Sequence, residues 1–290
     1  MNPRQSVPAV QRVLAPKTRG MLAANAQAQF ELVRKCQLMS LAALLLATCS
    51  LGAEAGWTML FNGKDLSGWT QRTGDSRFYV QDGCIVGEVT SENDTNSVLI
   101  TKNNYGSFVL ELDFKADHCV FSGVHIRSAF ASNEIVSEWR GVKRMIPGGH
   151  VYGYLVLIDP STVKRWWTAT LYDQRWWTAG IYDEDRRLWL YPGDLGGDPD
   201  EFSKHGRQIF KANDWNQLRI EAKGDSIKTY LNRVECAHIN DSMSLDGFIG
   251  LQIRTWISDD THETFIGSKV RFKNIRLQAL PSMPAESNSH

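Results

Sequence analysis

The chain has 290 residues and no net formal charge, with 32 basic and 32 acidic side chains. Its hydrophobic content of 42% and charged content of 22% are those of a globular protein, which excludes a wholly disordered chain. The balanced charge argues against a nucleic-acid-binding protein, which would need a clustered basic surface. Ten tryptophans fit either a β-rich protein or a surface that handles carbohydrate.

Residues 1–55 are interpreted as an N-terminal extension that ends in a secretory signal peptide. Two basic residues precede a mostly apolar stretch, 38–53, whose longest unbroken apolar run is too short to span a bilayer. A small-x-small cleavage pattern ends at Ala55. We therefore expect cleavage after Ala55 and a secreted or periplasmic protein with no transmembrane segment after signal removal. A lipoprotein attached through Cys49 is the alternative.

Short stretches in which apolar and polar residues alternate recur from residue 56 onward. Such alternation is typical of strands with one buried face. It occurs in residues 107–115, 120–127, 215–223, 226–231, 234–239, 247–254 and 269–280. Asn232-Arg233 is placed as a hairpin turn, and a change of phase at Lys273-Asn274 predicts a β-bulge. No long amphipathic helix is predicted.

Many strands at regular spacing predict an all-β domain of two sheets, a sandwich or jelly roll, over residues 56–280. The polar segment 281–290 is expected to be a disordered tail. Residues 56–290 carry 26 basic and 30 acidic side chains, a net charge of −4. The oligomeric state stays open.

Residues 165–174 (RWWTATLYDQ) are nearly repeated as residues 175–184 (RWWTAGIYDE). Because ten is an even number, either copy can fill the same strand with the same face inward. The other copy must then leave the sheet, and the sequence leaves open which one does.

The cysteines that follow the signal peptide are Cys84, Cys119 and Cys236. Three thiols allow at most one disulfide, and its partners stay open. The common zinc spacings CxxC and HExxH are absent. No cofactor is indicated, and a divalent cation stays open.

Several segments, in one order along the chain, together resemble the family of secreted 3-keto-disaccharide hydrolase-like domains. The most specific segment is the opening GWTMLFNGKDLSGW at residues 56–69. The others are VQDGCIVG (80–87), YGSF (105–108), SGVHIRS (122–128), GY (153–154), IDPS (158–161), IYDE (181–184), DWN (214–216), LN (231–232), GLQ (250–252) and FKNI (272–275).

The resemblance implies a concanavalin-like jelly roll of two curved antiparallel sheets, one of which receives sugar on a concave face. It also implies a hydrolase or lyase that acts on 3-keto-glycosides. In such a sugar the ketone acidifies the C2 proton, so a base can remove it while the C1 group leaves, and water then adds. This chemistry needs an acid–base group, a cation or metal for the enolate oxygen, and aromatic side chains against the sugar.

Four residues are the predicted catalytic groups. His125 and Arg127 are two positions apart and are expected to point from one strand into the same concavity, with a surface pair as the alternative. Asp159 is a candidate base or ion ligand, or a turn cap. Glu184 is a candidate acid or base, or else a partner of Arg186 or Arg187.

Five residues are the predicted substrate-binding groups. Tyr182 shares a face with Glu184, and Gln252 shares the polar face of its strand with Arg254. Trp167 and Trp177 each belong to a tryptophan pair in which one side chain is expected to be exposed.

An alternative function is a non-catalytic carbohydrate-binding module. Family members have polar residues where this chain has Leu155 and Leu157, and often a histidine where it has Arg254. A third hypothesis is an extracellular interaction domain that binds no sugar.

Overall fold

The structure is a computed structural model, and it describes residues 56–91, 96–117, 120–160, 178–254 and 266–281. Trp167, Trp177, Cys49, Cys119, the cleavage site at Ala55 and most of the predicted tail lie outside the described residues.

The described chain contains seventeen strands and one helix. In chain order they are β1 (Trp57–Met59), β2 (Trp69–Thr73), β3 (Arg77–Gln81), β4 (Cys84–Glu88), β5 (Ser97–Tyr105), β6 (Phe108–Ala116), β7 (Phe121–Ala131), β8 (Ile135–Trp139), β9 (Val142–Ile146), β10 (His150–Ile158), β11 (Ile181–Glu184), β12 (Leu188–Tyr191), α1 (Pro199–Ile209), β13 (Asn216–Lys223), β14 (Ser226–Leu231), β15 (Val234–Asn240), β16 (Gly247–Arg254) and β17 (Lys269–Ala279).

The strands form two large antiparallel sheets. The eight-stranded sheet has the order β15-β14-β13-β6-β17-β4-β3, with β1 also paired to β17. The seven-stranded sheet has the order β12-β11-β10-β7-β16-β5-β2. Strands β8 and β9 form a separate hairpin. The fold is therefore the predicted all-β jelly-roll sandwich.

The core consists of the inward-facing residues of both sheets. In β6 the buried residues Leu110, Leu112 and Phe114 alternate with partly exposed polar ones, and in β7 the inward residues are Val124 and Ile126. Full burial of a side chain of this size stabilises the fold by roughly 1.5–3 kcal/mol. The alternation seen in the sequence therefore fixes which face of each strand meets the other sheet.

The described chain also contains one helix of eleven residues, α1, which the pattern of alternating residues did not reveal. The carboxylate of Asp198 caps it by accepting hydrogen bonds from the backbone N–H groups of Asp200 and Glu201, each at 2.9 Å, and Pro199 begins the first turn. Its buried side includes Phe202. The capping aspartate before a proline was a readable start signal.

Both predicted irregularities of the strands are confirmed. Asn232 and Arg233 join β14 to β15 with φ angles of 49° and 73°, as a two-residue hairpin turn of the primed type requires. In β17 the register with β6 shifts between Lys273 and Arg276, and Asn274 has a φ of 53°.

The second copy of the ten-residue repeat enters the seven-stranded sheet. Its last four residues, Ile181–Glu184, form β11 and pair with β10. The first copy lies outside the described residues. The thiols of Cys84 and Cys236 are both free, so these two cysteines do not form a disulfide with each other. Within the described ranges, no helix is long and apolar enough to cross a membrane.

Candidate functional site

The outer face of the seven-stranded sheet brings together most of the predicted site residues. In β7 the flanking residues Val124 and Ile126 face the core, so His125 lies on the opposite, outer face. The strand register sets His125 beside Leu155 of β10 and Gly250 of β16. In the same way, every second residue of strands β10, β11 and β16 points to this outer face.

We call this group the outer-face site. It consists of His125, Leu155, Leu157, Tyr182, Glu184, Gln252 and Arg254. An outer sheet face normally contacts solvent, but here Leu155, His125 and Gln252 are completely buried. The site is therefore a desolvated environment in which polar groups interact strongly.

His125 is neutral and presents a free lone pair. Its Nδ1 lies 3.2 Å from Oγ of Ser128, whose hydroxyl also contacts the carbonyl oxygens of Ile126 and Tyr154 at 3.1 and 3.2 Å. When the Ser128 proton points to one of these carbonyls, its oxygen accepts a hydrogen bond from Nδ1–H of His125. Complete burial lowers the pKa of His125 to about 3. Nε2 is then an unprotonated acceptor, and it has no hydrogen-bond partner among the described residues.

Gln252 presents a second free acceptor on the same face. Its Nε2 donates to Oδ1 of Asn96 at 2.5 Å, which fixes the orientation of the amide. Its Oε1 is buried and, within the part of the chain that the structure describes, has no hydrogen-bond partner. A buried acceptor without a partner costs roughly 1–3 kcal/mol, so each of the two calls for a ligand or a water that donates to it.

Glu184 is a buried carboxyl group with an unusual affinity for its proton. Burial raises its pKa to about 7, against the opposing attraction of the nearby Arg254 guanidinium. Nη1 of Arg254 lies 3.8 Å from Oε1 of Glu184, too far for a hydrogen bond. The Glu184 side chain is 8% exposed and that of Arg254 is 38% exposed, so of the two groups it is Arg254 that reaches solvent.

An apolar wall lies beside these polar groups. Leu155 and Leu157 pack with Phe121, Tyr182 and Trp189 in one cluster on this face. The ring of Tyr182 meets that of Trp189 edge-on, with centroids 5.2 Å apart. Burial and the neighbouring Glu184 raise the pKa of Tyr182, so its hydroxyl keeps its proton. Aromatic edges and apolar walls of this kind suit the C–H faces of a sugar ring.

Comparison of the sequence with known protein families identifies the kind of protein. A model of the 3-keto-alpha-glucoside-1,2-lyase-like domain matches residues 56–278. The chain belongs to this family of carbohydrate-active domains. No curated protein matches the chain significantly.

Three solved structures are similar to this lyase-like domain. A protein provisionally assigned as a glycosyl hydrolase, from Parabacteroides distasonis, is 20% identical over 78% of this chain and 94% of its own, with a TM-score of 0.47. The carbohydrate-binding module CBM66 from Bacillus subtilis is 14% identical over 73% and 96%, with a TM-score of 0.37. A protein of unknown function with a galectin-like fold, also from Bacillus subtilis, is 10% identical over 78% and 96%, with a TM-score of 0.46.

Arg127 does not share the outer face with His125, contrary to the sequence prediction. A bulge in β7 shifts the register around it, and Arg127 has a φ of 46°. Its Nε and Nη1 donate to the carbonyl oxygens of Gly106 and Gly224 at 2.8 and 2.7 Å. Gly224 lies in a turn of the other sheet, so Arg127 connects the two sheets. A single bulged residue reversed the alternation on which the prediction rested.

Asp159 directly follows β10 and is buried. Its backbone N–H donates to Oγ1 of Thr178 at 2.9 Å, and that hydroxyl donates to the Asp159 carbonyl at 3.1 Å. These bonds fasten the end of β10 to the chain that leads into β11. Asp159 lies past the last residue of β10, beyond the strand pairing that aligns the outer-face site.

Arg186 and Arg187 pair with Asp183, not with Glu184. Nε of Arg186 donates to Oδ1 of Asp183 at 2.7 Å, and Arg187 bridges the carboxylates of Asp183 and Asp241. Asp183 faces the core side of β11 and Glu184 faces the outer side. Both arginines therefore bind Asp183 and leave Glu184 unpaired with them. The sequence offered no sign of Asp241, which is more than fifty residues away.

Two contributors to the outer-face site were also missed by sequence reasoning. Ser128 sets the His125 tautomer, and Asn96 orients Gln252. Neither is distinguishable in the sequence from an ordinary polar residue.

A divalent cation remains open as a cofactor. Within the described ranges, no group of three His, Cys, Asp or Glu side chains is close enough to hold a metal ion. The outer-face site itself contains one carboxylate, that of Glu184, beside a guanidinium.

Proposed function

We propose that the outer-face site binds a 3-keto-glycoside and eliminates the group on C1. The observation that carries the proposal is a buried carboxyl group with a pKa of about 7 that faces a guanidinium at 3.8 Å. Two free buried acceptors, on His125 and Gln252, lie on the same face. Membership of the lyase-like family supports a sugar with a ketone at C3.

Glu184 is the base in this proposal. The ketone acidifies the C2–H bond, and Glu184 takes that proton while the bonding electrons enter the enolate. The enolate then re-forms the ketone, a C1=C2 bond forms, and the C1–O bond breaks, with the leaving oxygen taking up a proton. Water adds to the resulting enone. A base with a pKa near the working pH combines an available ionised form with useful basicity.

Arg254 stabilises the developing enolate oxygen. A cation in a desolvated site contributes far more to such a charge than it would in water. Its partial exposure makes it accessible to substrate, which supports this assignment, and at 3.8 Å it forms no hydrogen bond that would occupy Glu184.

His125 and Gln252 are assigned to binding. With its pKa lowered to about 3, His125 is a poor base at neutral pH but a good acceptor for a sugar hydroxyl. Gln252 accepts through Oε1 in the same way. Together they orient the ring so that C2–H faces Glu184.

A non-catalytic carbohydrate-binding domain is the second candidate. It is favoured by Leu155 and Leu157, which are apolar side chains where family members have polar groups. Such a site would bind the sugar through the same two acceptors without turning it over.

The test is release of the aglycone from a panel of 3-keto-glucosides, with and without added Ca²⁺ or another divalent ion. We expect release by the wild type and a loss of roughly 10²–10⁴-fold in Glu184→Gln. The exposed Glu134→Gln is the matched control. No release, together with saturable binding of the same sugars, would replace the catalytic function with the binding one.

Export of the protein remains part of the proposal. The small-x-small pattern that ends at Ala55 supports cleavage before Gly56. Mass spectrometry of the mature N-terminus tests it, since a lipoprotein would instead carry acyl chains on Cys49.

A further inference from the structure

A second cleft lies on the outer face of the eight-stranded sheet, and it is independent of the outer-face site. Its volume is about 800 Å³. Strands β4, β6 and β17 form its floor, while the turn between β3 and β4 and the loop before β13 form its walls. We call it the basic cleft because four of its lining side chains are cationic: Lys115, Lys269, Arg271 and Lys273.

The basic cleft has an excess of positive side chains, whereas the domain as a whole is negatively charged. Its lining includes four cationic side chains but only two carboxylates, those of Asp82 and Asp117. Residues 56–290 as a whole have a net charge of −4. Attraction of an anion to this place must therefore come from the local arrangement of side chains.

Two of the four cations are neutralised by neighbours. Arg271 lies 3.2 Å from a carboxylate oxygen of Asp117, and Lys269 lies 3.5 Å from one of Glu88. These pairs hold the floor of the cleft together and leave little charge for a ligand.

The other two cations, Lys115 and Lys273, have no carboxylate partner among the described residues. The register places Asp113 opposite Lys273, but Oδ2 of Asp113 accepts a hydrogen bond from Nδ2 of Asn274 at 2.6 Å. The bulge in β17 makes this contact possible, because it turns Asn274 toward Asp113. Asp113 is thus held by Asn274 and forms no ion pair with Lys273 among the described residues.

Lys273 is held against an aromatic ring instead. Its Nζ lies 3.9 Å from the ring centroid of Trp215, which stands on the wall of the cleft. Val86 and Cys84 add apolar surface on the floor. The cleft thus combines unpaired ammonium groups with an aromatic and apolar surface, a combination that suits a sugar ring carrying an acidic group.

We propose that the basic cleft binds an acidic saccharide, with its carboxylate or sulfate group at Lys115 and Lys273 and its ring against Trp215. This inference goes beyond the proposed function, because it concerns the other sheet and needs no turnover. In this proposal the basic cleft holds an acidic polysaccharide on the eight-stranded sheet, while the outer-face site binds a 3-keto-glycoside on the seven-stranded sheet.

The experiment is isothermal titration of the wild-type protein with four probes: trigalacturonate, galactose 6-sulfate, a neutral galactose trisaccharide and sodium sulfate. We expect binding of an acidic sugar that weakens as the salt concentration rises. The carboxylated and sulfated probes show which acid group is preferred. Equal binding of the neutral trisaccharide, or binding of sodium sulfate as tight as that of the acidic sugars, would overturn the proposal.

Matched variants locate the binding. The double variant Lys115→Gln/Lys273→Gln is expected to weaken binding of the acidic sugar at least tenfold, and Trp215→Ala to weaken it as well. The control is Lys143→Gln on the exposed β8–β9 hairpin. Unchanged binding in the double variant would refute the assignment. Aglycone release from 3-keto-glucosides should be the same in all these variants, so failure here is distinguishable from failure of the outer-face site.

Discussion

The guanidinium of Arg254 faces the carboxyl group of Glu184 at 3.8 Å, across the outer face of the seven-stranded sheet. A hydrogen-bonded pair would hold the pKa of the carboxyl group low and occupy its lone pairs. At this separation burial dominates, and the pKa rises to about 7. The spacing therefore leaves Glu184 able to gain and lose a proton near neutral pH.

Arg254→Gln should change the pH profile as well as the rate. Arg254 lowers the pKa of Glu184, so its removal raises that pKa further. If ionised Glu184 is the base, kcat/KM rises with pH through this pKa, and the rising limb should move to higher pH. The rate itself should fall by roughly 10²–10³-fold because the enolate loses its cation. A pH profile that keeps the wild-type midpoint would contradict the pairing.

Glu184→Gln should alter how stability depends on pH. The folded pKa of about 7 lies above the ordinary value of 4.5, so the contribution of this group is fully present below 4.5 and is lost as pH rises through 7. This shift corresponds to about 3 kcal/mol at high pH. Relative to the wild type, we expect the variant to gain about that much between pH 4 and pH 8 in urea denaturation. Parallel stability curves for the two proteins would mean that Glu184 is not protonated by burial.

His125→Leu should separate binding from stability. The substitution removes the buried Nε2 that lacks a partner, so the free energy of unfolding should change by less than about 1 kcal/mol. Sugar affinity should fall about tenfold or more, because one acceptor is lost. Ser128→Ala is the matched variant. It keeps the His125 ring but removes the hydroxyl that selects its tautomer, and it should weaken sugar binding less than His125→Leu does. A large loss of stability in His125→Leu would show that the ring serves the fold.

The fold could be predicted because alternation with a period of two reports directly which residues face the core. It placed β6, β13 and β16, and the turn at Asn232-Arg233. The same rule separated His125, Glu184 and Gln252 from the core-facing residues of their own strands, but it did not show that the three share one sheet face. Helix α1 was missed because one eleven-residue element among many strands leaves a weak pattern, although its capping aspartate was visible.

The partners within the site could not be predicted in the same way. Arg127 left the predicted face because one bulged residue changes the phase of everything after it. Asp241 reaches Arg187 from a distant part of the chain, and Ser128 acts only through the hydrogen bond it accepts. Contacts between strands depend on register and side-chain orientation, which one sequence does not contain.

Arg127→Met should destabilise the sandwich without a selective effect on the site. Two charged hydrogen bonds, to the carbonyls of Gly106 and Gly224, are lost at a place where burial already lowers the arginine pKa. We expect a loss of roughly 2–4 kcal/mol in urea denaturation. Arg207→Met, on the exposed side of α1, is the control. If Arg127→Met keeps wild-type stability but loses sugar binding, the original catalytic assignment of Arg127 regains support.

Asp183→Asn should be the most destabilising of these changes. Asp183 is completely buried and accepts from both Arg186 and Arg187, so its neutralisation leaves two buried guanidinium groups with the single carboxylate of Asp241. Removing one partner of such a network typically costs roughly 3–5 kcal/mol. The exposed Asp194→Asn is the control in thermal and urea denaturation.

Activity measurements on Asp183→Asn then show how far the two faces of β11 depend on each other. Asp183 points to the core and Glu184 to the outer face of the same four-residue strand. Because a packed strand keeps its position until it unfolds cooperatively, activity should follow the folded fraction as temperature rises. Loss of activity in protein that is still folded would contradict this and would make the buried ion network a positioning element for Glu184.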